Sequence, residues 1–528
     1  MPPYDYVFAF ASSSLAIADG QVGGYVGTRL DSAITNPVVK NYGVTSTSYY
    51  MLVSSPTINS LFLSDTALQF AVDRGKMNSG QNFILSQKVS NSVLDGITIS
   101  PSFSVSKFPY GTMATVPAGA VSTNYFGGFI YNATSPYGYS SAPFGFQTFG
   151  RTPGGGWPYI QPSGSSQWFT STANYFENVY TYCAANGIDV VFSMGNAPGW
   201  TVADHSSDNG AVNGVTGQWV TCLCPDNPAD IDTFLNTFLT KYNKATGTVA
   251  KCVTAIETYV EPANSNPAGG SVPIAQCVAF CNRVTSYIKT NWPDIKVTTP
   301  SIQDVALASG HYYYDYFAAG GTANVDVVAW HNYNGITVGT TVNNNVEDIV
   351  YYNNLTTFNQ FFGLSDLPVW DTEGSWGVDS NYNGFAGPPA PDTTAFVAQR
   401  TLQMWSLGQA RQYWYALSGF GWGTMASTVA PLGNSAGIAY RTVKGWMTGA
   451  TLQRPGISIS SNGTTYAGTW SLSSGGTAVS VWDTSTSGII YTPPSSYGYY
   501  TDLTGTKSSV TSSGTILVYS WPQWLSTS

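Results

Sequence analysis

From about residue 119 to residue 450 the chain repeats one alternation, a short strand-like run followed by a longer helix-compatible stretch. The strand candidates are Tyr125–Tyr131, Phe144–Phe149, Ile188–Met194, Val253–Tyr259, Ile295–Thr299, Val325–His331, Leu367–Asp371 and Arg411–Ala416. Between them lie Phe169–Asn186, Asp230–Tyr242, Pro273–Asn291 and Thr393–Leu407. In Pro273–Asn291, Ile274, Val278, Val284 and Ile288 fall broadly on one helical stripe. Eight strands separated by helices predict an α/β fold, a (β/α)8 TIM barrel. Such a barrel carries its chemistry at the C-terminal ends of its strands, which directs the search for function there.

The flanks have a different texture. Residues 1–118 show short alternating runs, such as Ser60–Leu63 and Leu68–Val72, broken by Gly, Asn, Ser and Pro, and predict an N-terminal β-rich, sandwich-like domain. Residues 451–528 return to short strands, Thr465–Trp470, Ala478–Trp482, Gly488–Thr492 and Thr515–Tyr519, and predict a small C-terminal β-sandwich. Residues 119–450 form the barrel between them.

Charged residues make up 9 % of the chain against about 25 % in an average soluble protein. The formal net charge is −9, so nucleic acid is excluded as a partner, because a phosphate backbone requires a basic stripe. No uncharged apolar run is long enough to span a membrane. A surface rich in Gly, Ser, Thr and Asn suits an extracellular or virion-associated protein. Val7–Ala18 is mildly apolar, but the first basic residue is Arg29, so no secretory leader is expected. Cys183, Cys222, Cys224, Cys252, Cys277 and Cys281 fall within one hundred residues of one another. Their even number favours disulfides, in any of fifteen pairings. Free buried thiols come second, and zinc last because the spacing does not suit its common sites.

Glutamate is rare, occurring only at 177, 257, 261, 347 and 373. Two of the five fall at strand ends of the expected barrel. Glu261 closes the fourth run in Ile256-Glu257-Thr258-Tyr259-Val260-Glu261-Pro262, and Glu373 follows the seventh in Trp370-Asp371-Thr372-Glu373-Gly374. A pair of carboxyl groups is what glycoside hydrolysis requires. One protonates the leaving oxygen and the other attacks the anomeric carbon or activates water. A single Glu-Pro would more simply cap a loop, but two such glutamates at strands four and seven favour catalysis, with Glu261 as acid/base and Glu373 as nucleophile.

With these segments in view, the chain resembles the (β/α)8 retaining glycoside hydrolases of clan A, and most closely the family 39-like group of β-xylosidases and exopolysaccharide endoglycosidases. The resemblance runs from about Phe126 to Trp524. It rests on Gly187–Trp200 at strand three, Trp330-His331-Asn332-Tyr333 at strand six, the Glu373 segment, Gly437–Tyr440 with Gly445–Met447, and a tail with Val481-Trp482-Asp483 and Tyr500–Gly505. It implies a covalent glycosyl-enzyme on Glu373, Glu261 as acid and then base, and neither metal nor cofactor. Clan A members carry Asn before the acid/base and Arg on strand two. Here Val260 replaces the first, and Arg151 lies just past the strand-two segment. An atypical sugar, lower activity, or substitution by Arg151, Asn196 or Asn264 is the expected consequence.

Flat aromatic rings at barrel ends stack on sugars, and Trp200, Tyr259, Tyr333, Trp376 and Trp422 are candidates, with core or rim packing as the plainer role. His331 and Tyr333 share a strand face by the period of two, with Tyr333 expected to hydrogen-bond Glu373. Glu257, Asp304 and Asp371 are expected to be structural neighbours, His311 structural, and His205 a subsite or surface residue. The expected partner is a polysaccharide or oligosaccharide, cut internally, with an exo-acting xylosidase-like enzyme or a non-catalytic adhesin on a decayed barrel as the alternatives. The N-terminal domain is expected to bind glycan, a virion or another subunit.

Overall fold

A computed structural model describes residues 28–30, 39–41, 81–84, 102–105 and most of 119–527. The segments 129–147, 150–155, 205–210, 213–218, 265–270, 304–309, 335–351, 377–389, 416–434 and a few shorter stretches lie outside the described residues. Arg151, Trp422, His205, Asp304 and the expected strands Ser60–Leu63 and Leu68–Val72 therefore fall outside them.

Eight strands form one parallel sheet: β1 (Phe126–Gly128), β2 (Thr148–Phe149), β3 (Asp189–Ser193), β4 (Val253–Glu257), β5 (Lys296–Thr298), β6 (Val328–Asn334), β7 (Val369–Trp376) and β8 (Arg411–Trp414). Their order is β5-β4-β3-β2-β1-β8-β7-β6. The two ends of this order meet through parallel bridges, Thr298 to Val327 and Ile302 to Trp330. The His331 N–H donates to Ile302 O at 2.8 Å across the same join. Six longer helices follow in sequence: α1 (Thr170–Ala185), α2 (Ala229–Tyr242), α3 (Ile274–Asn291), α4 (Gly310–Ala318), α5 (Ala390–Leu407) and α6 (Ser435–Met447).

Each of the eight strands expected in residues 119–450 overlaps an observed one, and three differ in ways that bear on the site. β4 stops at Glu257, so Glu261 stands four residues beyond the strand rather than closing it. β6 and β7 run on to Asn334 and Trp376, which places His331, Tyr333 and Glu373 within strands. The strands are near-continuous apolar runs because parallel sheets are covered on both faces. Val191, Ala255, Val327, Trp370 and Tyr413 form one apolar cluster, drawn from or beside five of the strands. Two residues further along β3, β4 and β7 come Ser193, Glu257 and Thr372, all buried. The period of two thus stacks a polar layer on the apolar one.

α2 buries Ile231, Phe234, Leu235, Phe238, Leu239 and Tyr242, and Phe238 lies 4.1 Å from the Phe192 ring of β3. α3 is rotated from the stripe expected for it. It buries Cys277, Phe280, Cys281, Val284, Thr285 and Ile288, while Ile274 and Val278 are half-buried. This rotation turns two cysteines into the core. All six cysteines are free thiols and five are buried, which corrects the expectation of disulfides. Cys277 and Cys281 share one helix face with sulfurs 3.9 Å apart. Here the thiols behave as small hydrophobes.

Beyond α6 the strands are antiparallel: β9 (Thr451–Leu452), β10 (Ser458–Ile459), β11 (Thr465–Ser471), β12 (Thr477–Asp483), β13 (Ile489–Tyr491), β14 (Tyr499–Thr501), β15 (Lys507–Ser509), β16 (Ile516–Val518) and β17 (Gln523–Ser526). Six of them run in the order β9-β11-β12-β17-β14-β15, with β10 also on β11, while β13 and β16 make a separate ladder. Val479, Val481, Tyr497, Ile516, Val518 and Leu525 pack in one cluster between the two. Trp446 of α6 stacks on Trp524 at 5.7 Å, and the Ile457 N–H donates to Ser406 Oγ of α5 at 2.8 Å.

The chain divides into two compact units, 113–303 with 319–349 and 367–528, and 1–112 with 304–318 and 350–366. In the second of these, Thr28–Leu30 pairs with Val39–Asn41 and Gln81–Ile84 with Ser102–Val105, all antiparallel. Phe317 of α4 packs there against Phe358 and Phe362.

Candidate active site

Glu373 owes its place to an irregularity in β7. Trp330 pairs with Asp371, but the next residue of β6, His331, pairs with Glu373, so Thr372 is extra in the ladder. A bulge of this kind bends the strand and re-aims its side chains. Thr372 Oγ1 donates to the buried Glu257 at 2.7 Å. Glu373, the next residue, accepts a hydrogen bond at Oε1 from the Tyr333 hydroxyl. Two consecutive residues thus reach the same cluster, and Asp371 is left facing α5.

On that outer side Arg400 of α5 is wholly buried. It donates to Asp371 Oδ2 at 2.6 Å, to Asn332 O at 2.7 Å and to Ser375 O at 2.8 Å, tying β6 and β7 together. Burial pushes the Asp371 carboxyl up to about 6, against the pull of Arg400 and His331. Gly374 is required beneath this clasp. A Cβ there would lie 2.6 Å from Arg400 Nη2, Asn332 O and Asp371 Oδ2.

Glu261 is held by its loop. Its φ of 44° is uncommon for a residue other than glycine. Its N–H donates to Ser301 Oγ at 2.8 Å, and its carbonyl accepts from the Asn264 N–H at 2.8 Å. Its carboxylate Oε1 meets His331 Nδ1 at 2.6 Å. The Glu261 side chain is 24 % exposed, whereas Glu373 is buried.

His331 is enclosed. Its Nε2 is buried without a hydrogen-bond partner, and Glu257 Oε1 faces it at 3.8 Å. Burial alone would lower its pKa, but the neighbouring carboxyl groups of Glu257 and Glu261 together raise it above the ordinary value. One donor atom each from Glu261, His331 and Glu373 lie within 4.8 Å of one another. Among the described residues this is the one group of His, Cys, Asp or Glu dense enough for a metal ion. Within the group, Glu261 and His331 share a hydrogen bond, and Tyr333 donates to Glu373.

The other candidates are placed as follows. The Tyr259 hydroxyl donates to Asn196 Oδ1 at 2.8 Å, and its buried ring packs edge-on to Phe280. Asn264, exposed, donates to Gln303 Oε1 at 2.9 Å. Trp200 donates its Nε1–H to Gln161 O at 2.7 Å and stands at right angles to Trp157. Trp376 is the last residue of β7. Tyr333 packs edge-on to Tyr415. Sequence reasoning passed over Ser301, Thr372 and Arg400, and treated Glu257 and Asp371 as neighbours only. The one legible signal was Arg400, a single charge inside the apolar stretch Ala395–Trp405.

No protein-family model matches the sequence, and no curated protein sequence matches it. Solved structures do resemble the fold. A family 39 glycoside hydrolase from Bacteroides cellulosilyticus WH2 superposes with a TM-score of 0.56 at 14 % identity, covering 83 % of this chain and 86 % of that one. The GH39 enzyme of Xanthomonas axonopodis pv. citri gives 0.50 at 12 % identity, covering 77 % and 95 %. The family 30 subfamily 8 xylanase Xyn30A of Clostridium acetobutylicum gives 0.50 at 12 %, covering 77 % and 97 %. By architecture, then, this chain shares the fold of family 39 and family 30 glycoside hydrolases.

Proposed function

We propose that the chain is a retaining glycoside hydrolase that cuts a polysaccharide, with Glu373 as nucleophile and Glu261 as acid/base. The observation that carries this reading is the approach of carboxylate oxygens of Glu261 and Glu373 to within 4.8 Å. Double displacement uses carboxyl groups about 5–5.5 Å apart, whereas an inverting pair stands about 6.5–9.5 Å apart to admit water. The surroundings of each support its role. The Tyr333 hydroxyl on Glu373 favours the carboxylate form that attacks the anomeric carbon. The half-exposed Glu261 reaches the side from which the leaving oxygen departs and water later enters. It delivers its proton to that oxygen, then takes one from water as the glycosyl-enzyme is opened. The Nδ1 of His331 shares that proton.

The eight strands and their joining bridges are read as a closed (β/α)8 barrel, residues 451–528 as a β-sandwich and residues 1–118 as a third domain. Internal cutting, on a glycan met outside a cell or on a virion, is the mode favoured by the length of sequence between β3 and α2 and between β7 and α5. Product analysis on a panel of plant and bacterial polysaccharides tests the reading. Wild type releases oligosaccharides with the anomeric configuration retained. Glu373→Gln and Glu261→Gln each lower release by a factor on the order of 10² to 10⁴. Release unaffected by either substitution overturns the assignment, and binding without release on every glycan favours the adhesin alternative.

A further inference from the structure

Glu257 is a fully buried carboxyl group that the mechanism above does not use. It lies in the polar layer of the barrel interior, where an apolar residue would cost less to bury. Its contacts are specific. Ser193 Oγ of β3 donates to Oε2, Thr372 Oγ1 of β7 donates to Oε1 at 2.7 Å, and His331 Nε2 of β6 faces Oε1 at 3.8 Å. Two hydroxyl donors on one carboxyl group stabilise its ionised form. The carboxyl group so held stands on one side of the His331 ring, while Glu261 takes the other side at Nδ1.

We infer that Glu257 is a positioning residue that holds His331 charged and thereby governs the proton that Glu261 shares with it. This rests on the hydrolase reading for the role of Glu261, but the hold on His331 does not depend on catalysis. Burial by itself drives an imidazole neutral. Glu257 opposes that from β4, Glu261 from the following loop, and Asp371 and Glu373 from β7. Arg400 of α5 is paired to Asp371, and Ile302, in the segment after β5, offers its carbonyl to the His331 N–H. Of these acids, Glu257 is fully buried at the end of β4 and bonded to hydroxyls of β3 and β7. Through Thr372 it also touches the residue before Glu373.

Three histidines in the chain make the test direct. The full chain, labelled with ¹³C at histidine Cε1, gives three signals, and His331→Gln assigns one of them. In wild type, His331 takes up its proton at a higher pH than an exposed histidine. In Glu257→Gln, which keeps shape and an acceptor oxygen, proton binding to His331 weakens about tenfold, a fall of about one pH unit. A midpoint unmoved by Glu257→Gln overturns the inference. If that variant fails to fold, wild type still decides, because a His331 that is neutral at about pH 6.5 is one that burial controls and Glu257 does not. The second readout is kcat/KM against pH on 4-methylumbelliferyl glycosides and the cleaved polysaccharide. Its basic limb moves to lower pH in Glu257→Gln, whereas a packing defect lowers kcat without moving the limb. A moved midpoint with an unmoved limb overturns the link to Glu261. Absence of wild-type hydrolysis on every glycoside overturns the hydrolase reading, while the histidine titration still decides whether Glu257 charges His331.

Discussion

His331 sits where burial and charge oppose each other, and its folded pKa is raised because the carboxylates win. A histidine raised on folding contributes stability that is fully present below its unfolded value of about 6.5 and is lost as pH rises through the folded value. Denaturant midpoints of wild type and His331→Gln should therefore lie furthest apart below about pH 6.5 and converge as pH rises through the raised folded value. A constant difference across that range would mean that packing, not charge, is what His331 provides. Gly374 gives a second test at this scale. Gly374→Ala forces a methyl group against two oxygens and the Arg400 guanidinium, each 2.6 Å from the added carbon. Overpacking of this kind costs about 1–3 kcal/mol. The loss should appear in both thermal stability and turnover, since Gly374 is the residue after Glu373 on the same strand. Neither requirement was legible beforehand. The sequence shows a histidine and a glycine, and only their neighbours from distant segments define what each must do.

Among the elements, strand positions were the most readable feature. Apolar runs such as Asp189–Ser193 are buried along their whole length, as parallel pairing requires. What pattern could not show was the extra residue at Thr372. A bulge leaves strict alternation for one step, and Trp370-Asp371-Thr372-Glu373 reads the same with or without it. The α3 stripe differs as well. The pattern predicts a face of Ile274, Val278, Val284 and Ile288, and the observed one takes in Cys277, Phe280 and Cys281 beside Val284 and Ile288. The catalytic candidates were nonetheless visible, because glutamate is so sparse in this chain that two at strand ends stood out.

At a larger scale, the C-terminal strands pack on the helices that follow β7 and β8. Trp524 of β17 is buried, stacks on Trp446 of α6 and lies 5.5 Å from Trp470. Trp524→Ala should cost about 3–5 kcal/mol, read as a lowered denaturation midpoint. A single cooperative transition monitored both by tryptophan fluorescence and by activity would follow from that joint packing. Two separated transitions would mean that the strands after α6 unfold by themselves.

The free thiols have a kinetic consequence. Five are sealed in the core, so a thiol reagent can reach them only while the surrounding helix or strand is transiently open. Cys224, partly exposed, is the exception, but burial and the nearby Cys281 and Asp226 push its pKa up to about 11, leaving little thiolate at neutral pH. Labelling followed by mass spectrometry should modify Cys224 first and faster as pH rises. Cys183, Cys222, Cys252, Cys277 and Cys281 should follow at rates that stop depending on reagent concentration once opening is limiting. The residues expected to staple the barrel shut instead act as clocks, each recording how often its own part of the fold breathes.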